Sequence, residues 1–155
     1  MKIAPASDLH VPEIVEIWKE FMDFHSDLDP FLERRENGHE HFEKYVREKI
    51  ESDDSTVLVA TDNNKVIGFS IIFISKHPPV LKMERYGFID SLAVKSEYRR
   101  NGVGTAILNK IHEWFQSRDI TRIQLSVLPK NKTGDSFWRK NGFRDFTHTL
   151  CMDKE

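Results

Sequence analysis

Residues 86–105 read YGFIDSLAVKSEYRRNGVGT, and the way this stretch folds decides how the rest of the chain is organised. Tyr86 to Val94 are mostly apolar and aromatic or branched, the composition of a strand. Lys95 to Asn101 are polar or charged and end it. After Gly102, the residues Val103, Ile107, Ile111 and Trp114 recur at helical spacing. The stretch is therefore a strand, a short basic loop and a helix. Backbone N–H groups in a helix's first turn have no intrahelical partner and point outward with the positive end of its dipole. Gly102 and Gly104 leave such amides uncovered, Arg99 and Arg100 add guanidinium forks, and Thr105 adds a hydroxyl. The junction suits a diphosphate. The other reading is a sharp turn eased by the two glycines beneath a surface arginine pair. The triphosphate-loop string G-x-x-x-x-G-K-[ST] is absent, and Ile107 stands where a dinucleotide fingerprint needs its third glycine.

Working outward, MKIAPA at the amino terminus reads as a first strand. From Ser7 or Asp8 as cap, a helix carries Ile14, Ile17, Trp18 and Phe21 on one face until Asp29-Pro30 breaks it. A second, charged helix is expected from Phe31 to Ile50, with Phe42, Tyr45, Val46 and Ile50 as its apolar stripe. STVLVAT and KVIGFSIIFIS read as strands joined by a tight turn at Asp62-Asn63-Asn64-Lys65. The second of these is almost wholly apolar, as in a central strand covered on both faces. RIQLSVL is a further strand, and KTGDSFWRKNGF a short helix stopped at Asn141-Gly142. The tail RDFTHTLCMDK supplies one or two last strands, with Cys151 packed in one of them. This order predicts an α/β (α+β) chain: one mixed, mostly antiparallel sheet flanked by helices on both faces, in a single domain over residues 1–155.

The chain has 155 residues, 39% apolar and 31% charged, the balance of a water-soluble globular domain. No apolar run is long enough to span a bilayer, so no membrane partner is expected. The start MKIAPASDLH lacks a secretory core, and a single cysteine excludes an internal disulfide; the expected location is cytoplasmic. The net charge of −2 hides an asymmetry: residues 1–54 carry 15 acidic and 7 basic side chains, residues 55–155 carry 10 and 16. The whole-domain balance is not that of a nucleic-acid binder. The acidic half suits a cationic small molecule or peptide, or is simply a solvated helix pair. His39-Glu40-His41 lacks the H-E-x-x-H spacing that puts two imidazoles on one helix face, and no metal site is expected.

LAV-x3-YRRNGVG resembles the acetyl-coenzyme A motif of the GNAT N-acetyltransferase superfamily, a strand ending in hydrophobic-x-Val followed by [R/Q]-x-x-G-x-[G/A]. Arg99, Gly102 and Gly104 fill its three defining positions. Downstream, NKTGDSFWRKNGF resembles the second signature, N-x-x-A-x-x-[F/L]-Y-x-[K/R]-x-G-F, through Asn131, Phe137, Lys140, Gly142 and Phe143. The resemblance covers essentially the whole chain. It implies a fold with splayed central strands and acetyl-CoA as co-substrate. Arg99, Arg100, Asn101, Gly102, Val103, Gly104 and Thr105 would hold the diphosphate, and Leu92, Ala93 and Val94 would line the pantetheine arm, with backbone groups of Leu92 and Val94 facing it. Asn131 and Trp138 would approach from the far side. Relatives often pair through terminal strands, which implies a homodimer.

The resemblance further implies acetyl transfer to a primary amine by direct attack in a ternary complex. Asp90 is the candidate base: Phe88, Asp90, Leu92 and Val94 share one parity, so its carboxylate interrupts an apolar face and is partly desolvated. An ion pair or a substrate anchor are the other uses of such a carboxylate. The chain departs from the family at Trp138, where the signature has a tyrosine; an indole N–H does not release a proton at useful pKa. Gly134 also replaces the usual alanine. Trp138 motivates a second reading, an acetyl-CoA-binding sensor or interaction module with little or no catalysis.

Overall fold

In the computed structural model, which describes residues 1–155, five strands form one sheet in the order β1-β2-β3-β4-β5: Lys2–Pro5, Ser55–Asp62, Lys65–Lys76, Arg85–Val94 and Ile123–Leu125. The first four pair antiparallel, and β5 lies parallel to β4. A parallel neighbour needs a crossover, and α3, Val103–Gln116, supplies it. The sheet is mixed and mostly antiparallel, as expected. Residues Val66–Ile72 of β3 are all buried, the behaviour its apolar run predicts for a central strand. The β2–β3 turn places Asn63 and Asn64 at φ 50° and 64°, the left-handed pair that asparagine tolerates best.

Each face of the sheet carries its own core. On one side, α1 (Val11–Leu28) and α2 (Gly38–Glu51) cover Val57, Val59, Phe69, Ile71 and Ala93. Trp18 of α1 stacks on Phe42 of α2 at 4.5 Å. On the other side, α3 buries Val103, Ile107, Leu108, Ile111 and Phe115 against Leu58, Ala60, Ile67, Ile72 and Ile89. Phe137, Trp138 and Phe143, from α4 (Lys132–Lys140) and the turn after it, close that second core. Each fully buried aliphatic or aromatic side chain contributes roughly 1.5–3 kcal/mol, so neither layer is dispensable. No helix is long and apolar enough to cross a membrane.

Three expectations are corrected. The second helix begins at Gly38 rather than Phe31: Asp29 accepts from the Phe31 N–H at 3.1 Å and caps only a single 3-10 turn, Pro30–Leu32. Arg34 then ties the intervening loop to Asp23 of α1 at 3.1 Å. The expected seven-residue strand RIQLSVL is reduced to Ile123–Leu125. Finally, residues 143–155 form no strand. The tail's alternation selects a face, but a strand also needs an edge to pair with, and none is reached within the chain. Cys151 is accordingly exposed rather than packed.

Candidate active site

The geometry of the site begins with a β-bulge. Ile71 of β3 faces Ser91, yet the next residue, Ile72, faces Ile89, so Asp90 is an extra residue in β4 with no partner opposite. The strand's parity changes there. Leu92 and Val94 pack with Ile89 on the α3 side, whereas Phe88 lies 5.4 Å from Phe73 and Asp90 meets α2. The single face expected for Phe88, Asp90, Leu92 and Val94 is therefore split. A bulge bends its strand and sharpens the local twist, and pairing with β5 ends at Ile89–Leu125, one residue earlier. Beyond it β4 runs on to Val94 without a neighbour on that side. This is the splay between central strands that the resemblance implied.

Backbone alternation settles what lines the gap. Lys95 N–H donates to Ile67 C=O at 2.8 Å, and Ser91 C=O accepts from the Ser70 hydroxyl at 2.6 Å, both on β3. The intervening Leu92 and Val94 thus turn their backbone groups to the open edge. Val94 C=O accepts there from Arg99 Nε at 3.3 Å. Ala93 is on the opposite alternation, its side chain 6% exposed within the α1–α2 core, and contributes backbone toward β3 only.

At the end of the gap stands the N-terminus of α3. Gly102 is its cap at φ 78°, and Arg100 is also left-handed at φ 67°. The first helical bond runs from Ala106 N–H to Gly102 C=O at 3.0 Å. No backbone carbonyl accepts from the amides of Asn101, Gly102, Val103, Gly104 or Thr105. A Cβ added at Gly102 would meet nothing within 4 Å, so glycine is needed there for its conformation. A Cβ added at Gly104 would lie 3.4 Å from the Phe137 ring and 3.8 Å from Leu92 Cδ2, ordinary contact distances on the inward side of the helix. Val103 is buried, leaving only its amide available, whereas Asn101 and Thr105 are exposed. Uncovered amides on a helix dipole and an unpaired strand edge fit a ligand that has an anionic diphosphate and an extended amide-bearing arm.

The arginines divide their work. Arg100 has no ion-pair partner in the chain. Arg99 reaches back to α1, 3.5 Å from Glu20 and 5.8 Å from the Phe24 ring centroid. Glu20 also accepts from Ser96 N–H at 3.1 Å, so this pair pins the loop to α1.

On the other side of β4, the Tyr45 hydroxyl of α2 donates to Asp90 Oδ2 at 3.1 Å. Lys49, one turn later, holds its ammonium 5.3 Å from the Tyr45 ring centroid and 4.6 Å from that of Phe73. Desolvation raises the Asp90 pKa, partly offset by the Tyr45 hydrogen bond and the Lys49 charge. Asp90 is exposed as a residue, so that desolvation is partial and water reaches its carboxylate. Burial, then the charge and hydrogen bond of Asp90, raise the Tyr45 phenol far above its ordinary range. Tyr45 was expected only as part of an apolar stripe, and no spacing rule pairs residues 45 apart in the chain.

Asn131 caps α4, its Oδ1 accepting from Gly134 N–H at 3.0 Å. An alanine Cβ at position 134 would lie 2.5 Å from Asn131 Nδ2, so the glycine and this inward cap go together. Trp138 packs edge-on against Phe137 at 5.0 Å and Phe143 at 5.3 Å, its ring contributing to the second core. Tyr86 stacks on His77 at 4.3 Å near the start of β4, and Tyr98 packs against the α3-side core. The acidic excess of the first half is partly neutralised by its own arginines, with Arg47 3.2 Å from Asp8 and 2.9 Å from Glu43.

The chain is similar to known proteins in sequence and in fold. L-2,4-diaminobutyric acid acetyltransferase of Shouchella clausii is 34% identical over 87 residues, 56% of this chain and 46% of that protein. A mutant of the BH1408 protein from Bacillus halodurans superposes with a TM-score of 0.89 at 21% identity, covering 100% of both chains. A "predicted acetyltransferase with acetyl-CoA" from Clostridium acetobutylicum gives a TM-score of 0.79 at 23% identity, over 98% of this chain and 95% of that one. The chain matches about half the length of the diaminobutyric acid enzyme. The sequence pattern of the Acetyltransferase (GNAT) family matches residues 14–143, and the chain belongs to that family.

Proposed function

We propose that the chain transfers the acetyl group of acetyl-CoA to a primary amine, cationic in its resting form, by direct attack in a ternary complex. The observation that carries this reading is the coincidence of three features: the strand gap opens beside Asp90, Leu92 and Val94 edge it, and the uncovered amides of α3 stand at its end. The amides from Asn101 to Thr105, with Arg100 beside them, would bind the diphosphate, and the open edge of β4 would pair with the pantetheine arm. The ammonium first gives one proton to water. The neutral amine attacks, the C–N bond forms and the second nitrogen proton goes to the Asp90 carboxylate, which returns it to solvent, while the C–S bond breaks and the sulfur leaves as a thiolate that takes a proton from water. A raised carboxylate pKa brings the base nearer to working pH. Trp138, turned into the core, takes no part in proton delivery; a thiolate is a good leaving group without it. The similarity to an enzyme named for a diamino acid supports a small cationic acceptor.

The test is a thiol-release assay with acetyl-CoA over a panel of diamino acids, polyamines and lysyl peptides, beside calorimetry with coenzyme A. Binding heat together with amine-dependent thiol release is expected. Binding heat without release for any amine would establish the sensor reading instead. No heat at millimolar ligand would overturn the assignment altogether.

A further inference from the structure

The side chain of Asp90, the bulge residue, is held from another layer of the fold. Tyr45 reaches it from α2 with a single hydrogen bond of 3.1 Å. The ring of Tyr45 is partly buried against the α1–α2 core, so the hydroxyl is delivered from a fixed base. The helix is anchored in turn by Ser55, a buried residue of β2 whose hydroxyl donates to Lys49 C=O at 2.8 Å. Lys49 then places its ammonium between the Tyr45 and Phe73 rings, near enough to act on the Asp90 charge.

We propose that Tyr45 is a positioning residue for the transfer reaction, its hydroxyl fixing the Asp90 carboxylate at the mouth of the β4–β5 gap, with the Lys49 ammonium as its electrostatic counterweight. The proposal rests on Asp90 being the base. Tyr45 is suited to holding rather than giving a proton. Its phenol remains protonated through the working range, so it donates to the carboxylate without competing for the amine's proton. The bond is made to Oδ2 and leaves Oδ1 without a hydrogen bond from the protein. The other surroundings of Asp90 carry no competing charge. β3 presents Ile71 and Ile72, β5 ends on Leu125, and Glu20 of α1 is engaged by Ser96 and Arg99 at the far end of β4.

A hydrogen bond to the ionised form, and a nearby cation, both lower a carboxylate's pKa. Tyr45→Phe keeps the ring and its packing but removes the donor. The Asp90 pKa should then rise by roughly half a unit to one unit. A base must be ionised to work, so the acidic limb of the kcat/KM profile should move to higher pH by the same amount. Lys49→Met should move it in the same direction while leaving the hydroxyl in place. The experiment is a 13C NMR titration of the Asp90 carboxyl in parent, Y45F and K49M proteins, beside their pH–rate profiles. A carboxyl that titrates identically in parent and Y45F overturns the positioning role. A carboxyl that shifts while the rate limb stays put overturns Asp90 as the base, a separate failure that the NMR readout isolates. Both moving together is the expected result; a lowered Tm with neither moving would reduce Tyr45 to a packing residue.

Discussion

Replacing Gly87 by alanine tests whether the closed end of the strand gap is packed as tightly as the structure shows. Gly87 pairs with Ile74 and Ile123, just before the bulge. An added Cβ would lie 2.5, 2.6 and 2.8 Å from Phe115 Cε1, Cζ and Cδ1. Carbon atoms rest at about 3.5–4.0 Å, so the ring has to withdraw by roughly 1 Å. It has nowhere free to go: Phe115 is 1% exposed, with Trp114 edge-on at 5.3 Å and α3-side core around it. Two effects oppose each other. Alanine is favoured over glycine inside a strand by roughly 0.5–1 kcal/mol, whereas overpacking a core costs about 1–3 kcal/mol. The second wins, and the net loss should lower Tm by a few degrees, each kcal/mol being worth about 2–4 °C at this size. Urea unfolding should show a lower midpoint at constant m. Phe115→Leu removes the offending ring edge, so G87A/F115L should lose less than the two single losses added, with a coupling of about 0.5–3 kcal/mol. A G87A protein that melts with its parent, or a strictly additive pair, would refute the packing argument.

Gly102→Ala meets no atom but is forced to φ 78°, so it should cost about 1–2 kcal/mol, and Gly102→Asn less; equal melting temperatures for all three would show that the cap relaxes freely. Glu20→Gln removes the carboxylate that holds Arg99 in a half-exposed pair. Such pairs contribute about 0–1 kcal/mol, so Tm should barely change while ADP binds up to roughly fivefold tighter by calorimetry. Weaker ADP binding would mean that the Glu20–Arg99 contact shapes the loop rather than restraining the arginine.

What could be read from the residues was whatever one element states by itself. The apolar run of β3 announced a strand covered on both faces, Asn63-Asn64 announced its turn, and Val103, Ile107 and Ile111 announced the buried stripe of α3. Gly102 and the open helix start followed from local backbone chemistry. The misses are relations between elements. Alternation along Tyr86–Val94 cannot show that one residue lacks a partner, because the bulge exists only relative to β3. Tyr45 lay on an amphipathic stripe, where a tyrosine is indistinguishable from any aromatic residue until its hydroxyl finds a strand on the opposite layer. Gly104 was read only for the amides it uncovers; that its inward side faces Phe137 of α4 is again a relation between elements. The tail had a strand's rhythm and no edge to join.

Asp90 is the odd residue of its strand. Were it excised, the ladder between Ile71–Ser91 and Ile72–Ile89 would close into regular register and β4 would have no reason to veer from β5. The carboxylate and the point where β4 parts from β5 thus meet at one supernumerary residue, so its deletion is expected to remove the first and to extend pairing across the second.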